Sequence, residues 1–222
     1  MSAAPSRDAG PPWALIPVKA FSQAKSRLAP ALGPRERALF ARSLFEHVLG
    51  ALAPCAELGG VLVVTACPEV AAVARAHGAE VATDAVPEGL GLIVDGGLAA
   101  LAARGAGSAL VLMSDLPRLE TAEIRRLLDL LRSNDLVLSP DERDEGTNAL
   151  GLSPVDRIET LFGRADSFAR HCQRAKDLGL TPAILRSPGL GFDIDGPDDL
   201  ARLGAPGRSA ALGAEPGSRP AA

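Results

Sequence analysis

Apolar residues along the chain fall into short continuous runs that alternate with stretches where they recur every three or four positions. The short runs predict buried strands, and the recurrent spacing predicts helices with one face in a core. In the first half, strands are predicted at 13–18, 60–65, 79–83 and 109–113, and helices from Pro34 onward, at 69–77 and at 92–104. This alternation predicts an α/β fold with a mostly parallel sheet that helices cover on both faces.

The same two patterns continue through the second half of the chain. Thr121 is predicted to cap a helix that runs to about Arg132, with Glu123 in its first turn. Further strands are predicted at 136–139, 148–153, 183–186 and 192–194, and further helices at 166–178 and 197–203. The sequence therefore predicts one α/β domain over residues 13–203.

Both ends of the chain differ in composition from this domain. Residues 1–12 and 204–222 are rich in Gly, Pro, Ala and Ser and carry few side chains that could pack in a core. Segments of this kind bury too little apolar surface to offset the entropy of ordering them. We expect both to be disordered tails.

Composition and charge exclude several classes of function. Apolar residues make up 47% of the chain but aromatic residues only 3%, and the net charge of −4 includes no basic block. A nucleic-acid surface needs clustered cations and stacking aromatic rings, so nucleic-acid binding is not expected. The sequence shows neither a signal peptide nor an apolar stretch long enough to span a membrane.

The three cysteines, Cys55, Cys67 and Cys172, are widely spaced and form no CxxC pair. An odd number at wide spacing argues against a disulfide framework and against a zinc site. Buried thiols in a reducing compartment are the simpler interpretation, and we expect a cytoplasmic protein.

Three cations follow the first predicted strand, namely Lys19, Lys25 and Arg27. In parallel sheets, ligands bind beyond the carboxyl ends of the strands, where these cations could offset the charge of a triphosphate. A solvated basic loop explains the same residues equally well. The segment contains no P-loop and no GxGxxG fingerprint.

Aspartates follow two other apolar stretches. Asp115 leaves the most apolar predicted strand, where it could hold Mg²⁺ or form a turn before Pro117. Asp193 and Asp195 alternate with apolar residues, which places both carboxylates on one face of a predicted strand. Alternatively, Asp195 could be a structural residue that caps the predicted helix beginning near Pro197. Carboxylates gathered at one sheet edge repel one another unless a cation lies between them, which favours a metal site.

Two further polar segments, Gly146–Leu150 and Phe162–His171, lie in the second half of the chain. In the second of these, Gly163 precedes a predicted helix whose backbone N–H groups could bind a carboxylate or phosphate. On local grounds alone an ordinary turn and helix cap is the better interpretation. We assign His171 no catalytic role.

Taken together, these segments resemble the 2-phospho-L-lactate guanylyltransferase family, which includes the phosphoenolpyruvate guanylyltransferases of coenzyme F420 biosynthesis. The resemblance covers residues 13–203. The motifs that carry it, in order, are Pro17-Val18-Lys19 with Ala24–Pro30, Ser114–Pro117, Gly146–Leu150, Phe162-Gly163 with Ser167–His171, and Asp193–Leu200.

The resemblance implies a Rossmann-like nucleotidyltransferase fold and an enzyme that uses GTP and Mg²⁺. The acceptor would be a small phospho-carboxylic acid: phosphoenolpyruvate, 2-phospho-L-lactate or 3-phospho-D-glycerate. The product would pass to the transferase that acts on the deazaflavin precursor. For the quaternary structure, a homodimer is one option.

Roles for individual residues also follow from the resemblance. Asp115, Asp193 and Asp195 would hold the metal. The acceptor's carboxylate and phosphate would be bound by Thr147, Gly163 and Ser167. The GTP phosphates would face Lys19, Lys25 and Arg27, and catalysis would rest on Lys25, Arg27 and Asp115.

Two positions depart from the family pattern. Ile93 stands where family members usually carry Asn and cannot hydrogen-bond a nucleotide, and the segment Gly163–Ser167 is one residue longer than the common spacing. Two other functions stay open: a molybdenum-cofactor or sugar nucleotidyltransferase, and a non-catalytic nucleotide-binding protein. The first usually carries a glycine-rich loop after strand one, which residues 19–25 lack.

Overall fold

The computed structural model describes residues 10–83 and 89–211. Within these ranges the chain forms one seven-stranded sheet with the strand order β3-β2-β1-β4-β6-β5-β7. The strands are β1 (Trp13–Pro17), β2 (Gly60–Val64), β3 (Glu80–Ala82), β4 (Ala109–Leu112), β5 (Leu136–Pro140), β6 (Thr147–Leu152) and β7 (Ala183–Ile184). The helices are α1 (Pro34–Leu52), α2 (Pro68–Ala76), α3 (Leu90–Ala103), α4 (Thr121–Leu131), α5 (Ser167–Asp177), α6 (Pro188–Gly191) and α7 (Pro197–Ala211).

The sheet is mostly parallel, as the alternation of strands and helices predicts. β3, β2, β1 and β4 run parallel to one another, and β5 runs parallel to β7. β6 alone runs antiparallel to both of its neighbours, β4 and β5. β6 runs antiparallel to β5 because the connection Asp141–Gly146 is short, and a crossover between parallel strands needs about a dozen residues or more.

The reversal of β6 places its amino end beside the carboxyl end of β4. Leu112 pairs with Ala149, so Asn148 and Thr147 lie beyond it, at the edge where the parallel strands end. Side chains at the start of β6 therefore join those that leave β1 and β4.

Apolar side chains form one core on each face of the sheet. One core includes Phe45 and Val48 of α1 with Ile124 and Leu127 of α4. The core on the other face includes Val94 and Leu98 of α3. Both cores are largely aliphatic, which agrees with the scarcity of aromatic residues. Within the described ranges, none of the helices combines the length and the apolar character that crossing a lipid bilayer requires.

A third, smaller apolar cluster lies outside the two sheet faces. It packs Leu28 from a 3₁₀ turn and Phe40 from α1 against Phe192 and Ile194. We call it the anchoring cluster, because it fixes the loop after β1 and the acidic segment Phe192–Asp195 to one another.

Two of the predicted elements are wrong. Residues 192–194 form no strand, and Phe192 has an extended backbone that follows the short helix α6. The alternation seen in the sequence is real, but it reflects packing in the anchoring cluster and not pairing in the sheet. Thr121 is the first residue of α4 and not its cap, because its hydroxyl donates to the Ala51 carbonyl at 2.8 Å while Glu120 occupies the cap position.

The predicted tails lie largely outside the described residues. α7 continues to Ala211 with a break at Gly204, where φ is 80°. Residues 1–9 and 212–222 are not described, so their disorder stays a prediction.

Candidate active site

Two adjoining cavities open at the sheet edge where β1 and β4 end and β6 begins. The larger, of about 610 Å³, is lined by Lys19, Lys25 and Arg27, and the smaller, of about 400 Å³, by Thr147, Gly163 and Ser167. Both are lined by Asp115 and Asp195, and Asp193 lines the smaller one. The fold thus brings all the site residues predicted from the sequence to one place, and we call the two spaces the cationic cavity and the hydroxyl cavity.

Three carboxylates meet at the boundary between the cavities. Asp115, Asp193 and Asp195 each offer an oxygen, and these atoms lie within 4.8 Å of one another. Asp115 follows the end of β4, and the anchoring cluster holds Phe192 and Ile194, which alternate with Asp193 and Asp195. Oxygen ligands at this spacing fit a hard divalent cation.

Lys25 supplies positive charge to this cluster in the described structure. Its ammonium donates to Asp115 Oδ2 at 2.7 Å and also to the Ile194 carbonyl. Only 9% of the side chain is exposed. The backbone of Lys25 is left-handed, with φ at 55°, which few non-glycine residues adopt outside constrained sites. The sequence marks Lys25 as a cation for phosphates, but no local pattern reveals its contact with Asp115.

Arg27 has a different environment from Lys25. Its guanidinium donates to Asp195 Oδ2 at 3.0 Å, with both side chains more than half exposed. Exposed pairs of this kind contribute little stability because water and salt screen them. The guanidinium is therefore free to exchange this partner for a phosphate.

The helix-cap alternative for Asp195 does not match the geometry. The carboxylate of Asp199 accepts hydrogen bonds from the backbone N–H groups of Asp195 at 3.0 Å and Gly196 at 2.8 Å. Asp199 therefore caps the start of α7, and the carboxylate of Asp195 remains available at the cavity boundary.

Asp193 is partly buried, as is Asp115, whereas Asp195 is exposed. Burial raises the pKa of Asp193 from 3.8 to about 6, and the negative charge of Asp115 adds to the effect. The Asn148 amide donates to Asp193 Oδ1 at 3.2 Å, which partly offsets both. Asn148 was not among the predicted site residues, although its place beside Thr147 at the start of β6 was a usable signal.

The floor of the hydroxyl cavity is a buried group of hydroxyls around His171. Thr147 Oγ1 lies 3.0 Å from His171 Nδ1, and Ser167 Oγ donates to Thr147 Oγ1 at 3.3 Å. Gly163 lines the same cavity with φ at 84°, and a Cβ there would approach the Cβ of Leu90 to 3.2 Å. The sequence analysis gave His171 no role, so its position at the site is an addition from the structure.

Cations also surround the rim of the hydroxyl cavity. Arg143 and Arg164 line it and are exposed. Among the residues that the structure describes, neither guanidinium forms a hydrogen bond or ion pair. They bring positive charge to a cavity that acidic side chains also line, and the sequence analysis did not single them out. Ile93 of α3 lines the cationic cavity beside Leu90.

Comparison with known proteins places this site in a known family. The model of the family described as "Guanylyl transferase CofC like" matches residues 13–210. A phosphoenolpyruvate guanylyltransferase of Sphaerobacter thermophilus is 42% identical over 193 residues, covering 86% of this chain and 91% of that protein. A 3-phospho-D-glycerate guanylyltransferase of Phenylobacterium zucineum is 35% identical, covering 86% and 88%.

Solved structures with low identity support the fold alone. A nucleotidyl transferase from Methanothermobacter is 16% identical, with a TM-score of 0.63 over 92% of this chain and 99% of that one. A glucosyl-3-phosphoglycerate synthase from Mycobacterium tuberculosis, solved with Mn²⁺ and UDP, is 17% identical, with a TM-score of 0.58 over 91% and 78%. The predicted Rossmann-like nucleotidyltransferase fold is thereby confirmed.

The raised pKa of Asp193 yields a test of the acid cluster. Since its folded-state pKa of about 6 exceeds the usual 3.8, the metal-free protein loses stability as the pH rises through this window. In EDTA at pH 7, Asp193→Asn should therefore raise the free energy of unfolding, by up to about 3 kcal/mol. The gain should vanish near pH 4. Urea unfolding between pH 4 and 8 measures it.

A matched control is Asp129→Asn, because Asp129 is an exposed acid that pairs with Arg132 on α4. It should leave the pH dependence unchanged. If Asp193→Asn instead unfolds more easily than the parent at pH 7 in EDTA, the carboxylate is a structural hydrogen-bond acceptor and the metal assignment is wrong.

Proposed function

The chain belongs to the family of CofC-like guanylyltransferases, and from this membership we propose that it transfers GMP from GTP to the phosphate of a small phospho-carboxylic acid. Pyrophosphate would be released. The observation that carries the proposal is the pair of adjoining cavities, which share Asp115, Asp195 and Arg27, while Lys19 and Lys25 line only the first and Thr147 and Ser167 only the second. Such an arrangement suits a reaction between two anionic substrates.

In this proposal the cationic cavity binds GTP. Lys19, Lys25 and Arg27 would face its phosphates, and the 610 Å³ volume suits a nucleotide. Lys25 is held by the fold, so its charge needs little reorganisation when the phosphates arrive. Ile93 and Leu90 add an apolar surface to the same cavity.

The residues at the boundary fit a divalent metal ion. Asp115, Asp193 and Asp195 would hold Mg²⁺, a cation that prefers oxygen ligands and keeps several waters. When bound, it would offset the negative charge of the GTP α-phosphate and of the acceptor phosphate. The Mn²⁺ in the glucosyl-3-phosphoglycerate synthase structure is a precedent on a related fold.

The hydroxyl cavity would bind the acceptor. Thr147, Gly163 and Ser167 would contact its carboxylate and phosphate, and Arg143 and Arg164 add charge at the rim. The names of the relatives favour phosphoenolpyruvate or 3-phospho-D-glycerate, and 2-phospho-L-lactate has the same two charged groups.

The chemistry would be an in-line displacement at the α-phosphorus. An oxygen of the acceptor phosphate forms a bond to the α-phosphorus as the bond to the bridging oxygen of pyrophosphate breaks. Lys25 and Arg27 would stabilise the charge that grows on this leaving group, and positioning of the two substrates would supply much of the acceleration. The step needs no side-chain nucleophile.

The wider biological setting is part of the same proposal. The product, a guanylylated diphosphate, would pass to the transferase that acts on the deazaflavin precursor in coenzyme F420 biosynthesis. The cytoplasmic location and the homodimer stay predictions. The three cysteines are free, which fits a reducing compartment.

The alternative sugar or molybdenum-cofactor nucleotidyltransferase is less well supported. The loop after β1 contains no glycine between Lys19 and Lys25, and the relatives reported above are named guanylyltransferases.

A single assay tests the proposed function. The purified protein is incubated with Mg²⁺, each nucleoside triphosphate in turn and each of the three phospho-acids, and pyrophosphate is measured. We expect release with GTP and a phospho-acid together, and none with Asp115→Asn. Equal turnover of ATP and GTP would contradict the proposed preference for GTP. Pyrophosphate release that does not require a phospho-acid would contradict the proposed acceptor.

The two cations of the loop after β1 should differ in their effects. Lys25→Ala should lower kcat/KM for GTP by about tenfold or more, since a buried charge-assisted contact is lost near the leaving group. Arg27→Ala should cost less, because its side chain is exposed and screened. Arg42→Ala, which removes an exposed pair on α1, is the control. If both variants match the parent in steady-state kinetics, the loop is only a solvated surface and the prediction is wrong.

Thr147→Val should impair use of the acceptor more than use of GTP. The substitution keeps the side-chain shape and removes a hydrogen bond, worth about 0.5–1.5 kcal/mol and more to a charged partner. Thr160→Val is a matched control, because its buried hydroxyl has no hydrogen-bond partner among the described residues. A raised KM for GTP with an unchanged KM for the acceptor would show that the two cavities are assigned in the wrong order.

A further inference from the structure

His171 lies beneath the hydroxyl cavity and makes no contact with solvent. Its side chain is fully buried, and its two ring nitrogens face different partners. The backbone N–H of Leu161 donates to Nε2 at 2.9 Å. Since a backbone amide can only donate, Nε2 must be the unprotonated nitrogen of the ring.

The ring is also neutral in this environment. Burial lowers the pKa of His171 to about 4, so the ring carries one proton at neutral pH. With Nε2 accepting, that proton lies on Nδ1. Nδ1 lies 3.0 Å from Thr147 Oγ1, and this hydroxyl oxygen can accept the proton.

This tautomer restricts the two hydroxyls above the ring. Thr147 cannot donate to Nδ1, because that nitrogen already carries a proton. Ser167 Oγ lies 3.3 Å from Thr147 Oγ1, so one hydroxyl proton is used between the two oxygens. Within the described part of the chain neither hydroxyl has another acceptor, so the remaining O–H must point into the cavity that both residues line.

We propose that His171 is a positioning residue that fixes the Thr147–Ser167 pair as an O–H donor toward an anionic oxygen of the acceptor. The inference rests on the proposed function for the identity of that acceptor. The same ring also fixes the wall of the cavity, because it holds the Leu161 amide and packs edge-on against Phe162, 5.0 Å between ring centres, directly before Gly163.

The tautomer can be measured without any substrate. Nitrogen-15 NMR of the ligand-free protein should show His171 neutral at pH 7 with its proton on Nδ1. The resonance is assigned by its loss in His171→Asn, which separates it from the other two histidines, His47 and His77. A proton on Nε2, or a charged ring at this pH, would overturn the proposal.

Kinetics test whether His171 acts through the hydroxyls. His171→Leu should raise the KM for the acceptor by about tenfold with the KM for GTP unchanged, whereas His171→Asn, which keeps a donor near the Nδ1 position, should stay within about threefold of the parent. In a Thr147→Val background the effect of His171→Leu should fall below about threefold, because the group it orients is gone.

Other outcomes separate this proposal from its premise. His171 is a packing residue only if the effects of His171→Leu and Thr147→Val on the acceptor KM multiply fully in the double variant. The same conclusion follows if His171→Leu raises the KM for both substrates equally. If the His171→Leu variant does not fold, the acceptor KM values of His171→Asn and His171→Gln are compared instead. Gln keeps only an acceptor on the Nε2 side, so this comparison also separates a positioning role from a packing role. If no phospho-acid is turned over, the proposed function is wrong. The tautomer measured by NMR still tests whether His171 fixes the Thr147–Ser167 pair as an O–H donor.

Discussion

The ammonium of Lys25 is the contact that holds the site together. It joins three segments that are distant in sequence: the loop after β1, the end of β4 through Asp115, and the acidic segment through the Ile194 carbonyl. Three carboxylates within 4.8 Å of one another would repel strongly without such a charge. The left-handed backbone of Lys25 is the local cost of directing the side chain inward, and the anchoring cluster beside it offsets that cost.

The direction of β6 determines what the carboxylates face. A parallel strand in this position would present its amino end at the opposite edge of the sheet. Because the short connection Asp141–Gly146 makes β6 antiparallel to β5, Thr147 and Asn148 lie at the edge of the sheet where β4 ends and Asp115 follows. The carboxylate of Asp141 stabilises this connection by accepting backbone N–H groups of Arg143, Glu145 and Gly146. One short loop thus supplies the second half of the site.

Much of this architecture could be predicted from the sequence, because hydrophobic periodicity reports burial directly. The strands through β6 and the five longer helices before α6 lie close to their predicted positions, and the predicted site residues converge. The error at Phe192–Ile194 has the same origin, since periodicity reports which side chains are buried and not which backbone they pair with. The contact of Lys25 with Asp115 spans 90 residues, and the depth of His171 depends on the packing of α5 against β5, so neither has a local signature.

The two cavities use different kinds of donor, and the acid cluster explains why. A buried cation on the floor of the hydroxyl cavity would lie close to Asp193 and would compete with a metal ion for that carboxylate. Neutral donors avoid this competition. The Thr147–Ser167 pair offers a proton without charge, and the neutral His171 behind it directs that proton without adding charge of its own. Positive charge is placed instead at the exposed rim, on Arg143 and Arg164, where water screens it from the acids until an anionic ligand excludes the water. The separation of buried neutral donors from exposed cations on this side of the site lets it attract an acceptor with two anionic groups and still leave Asp193 without a competing cation.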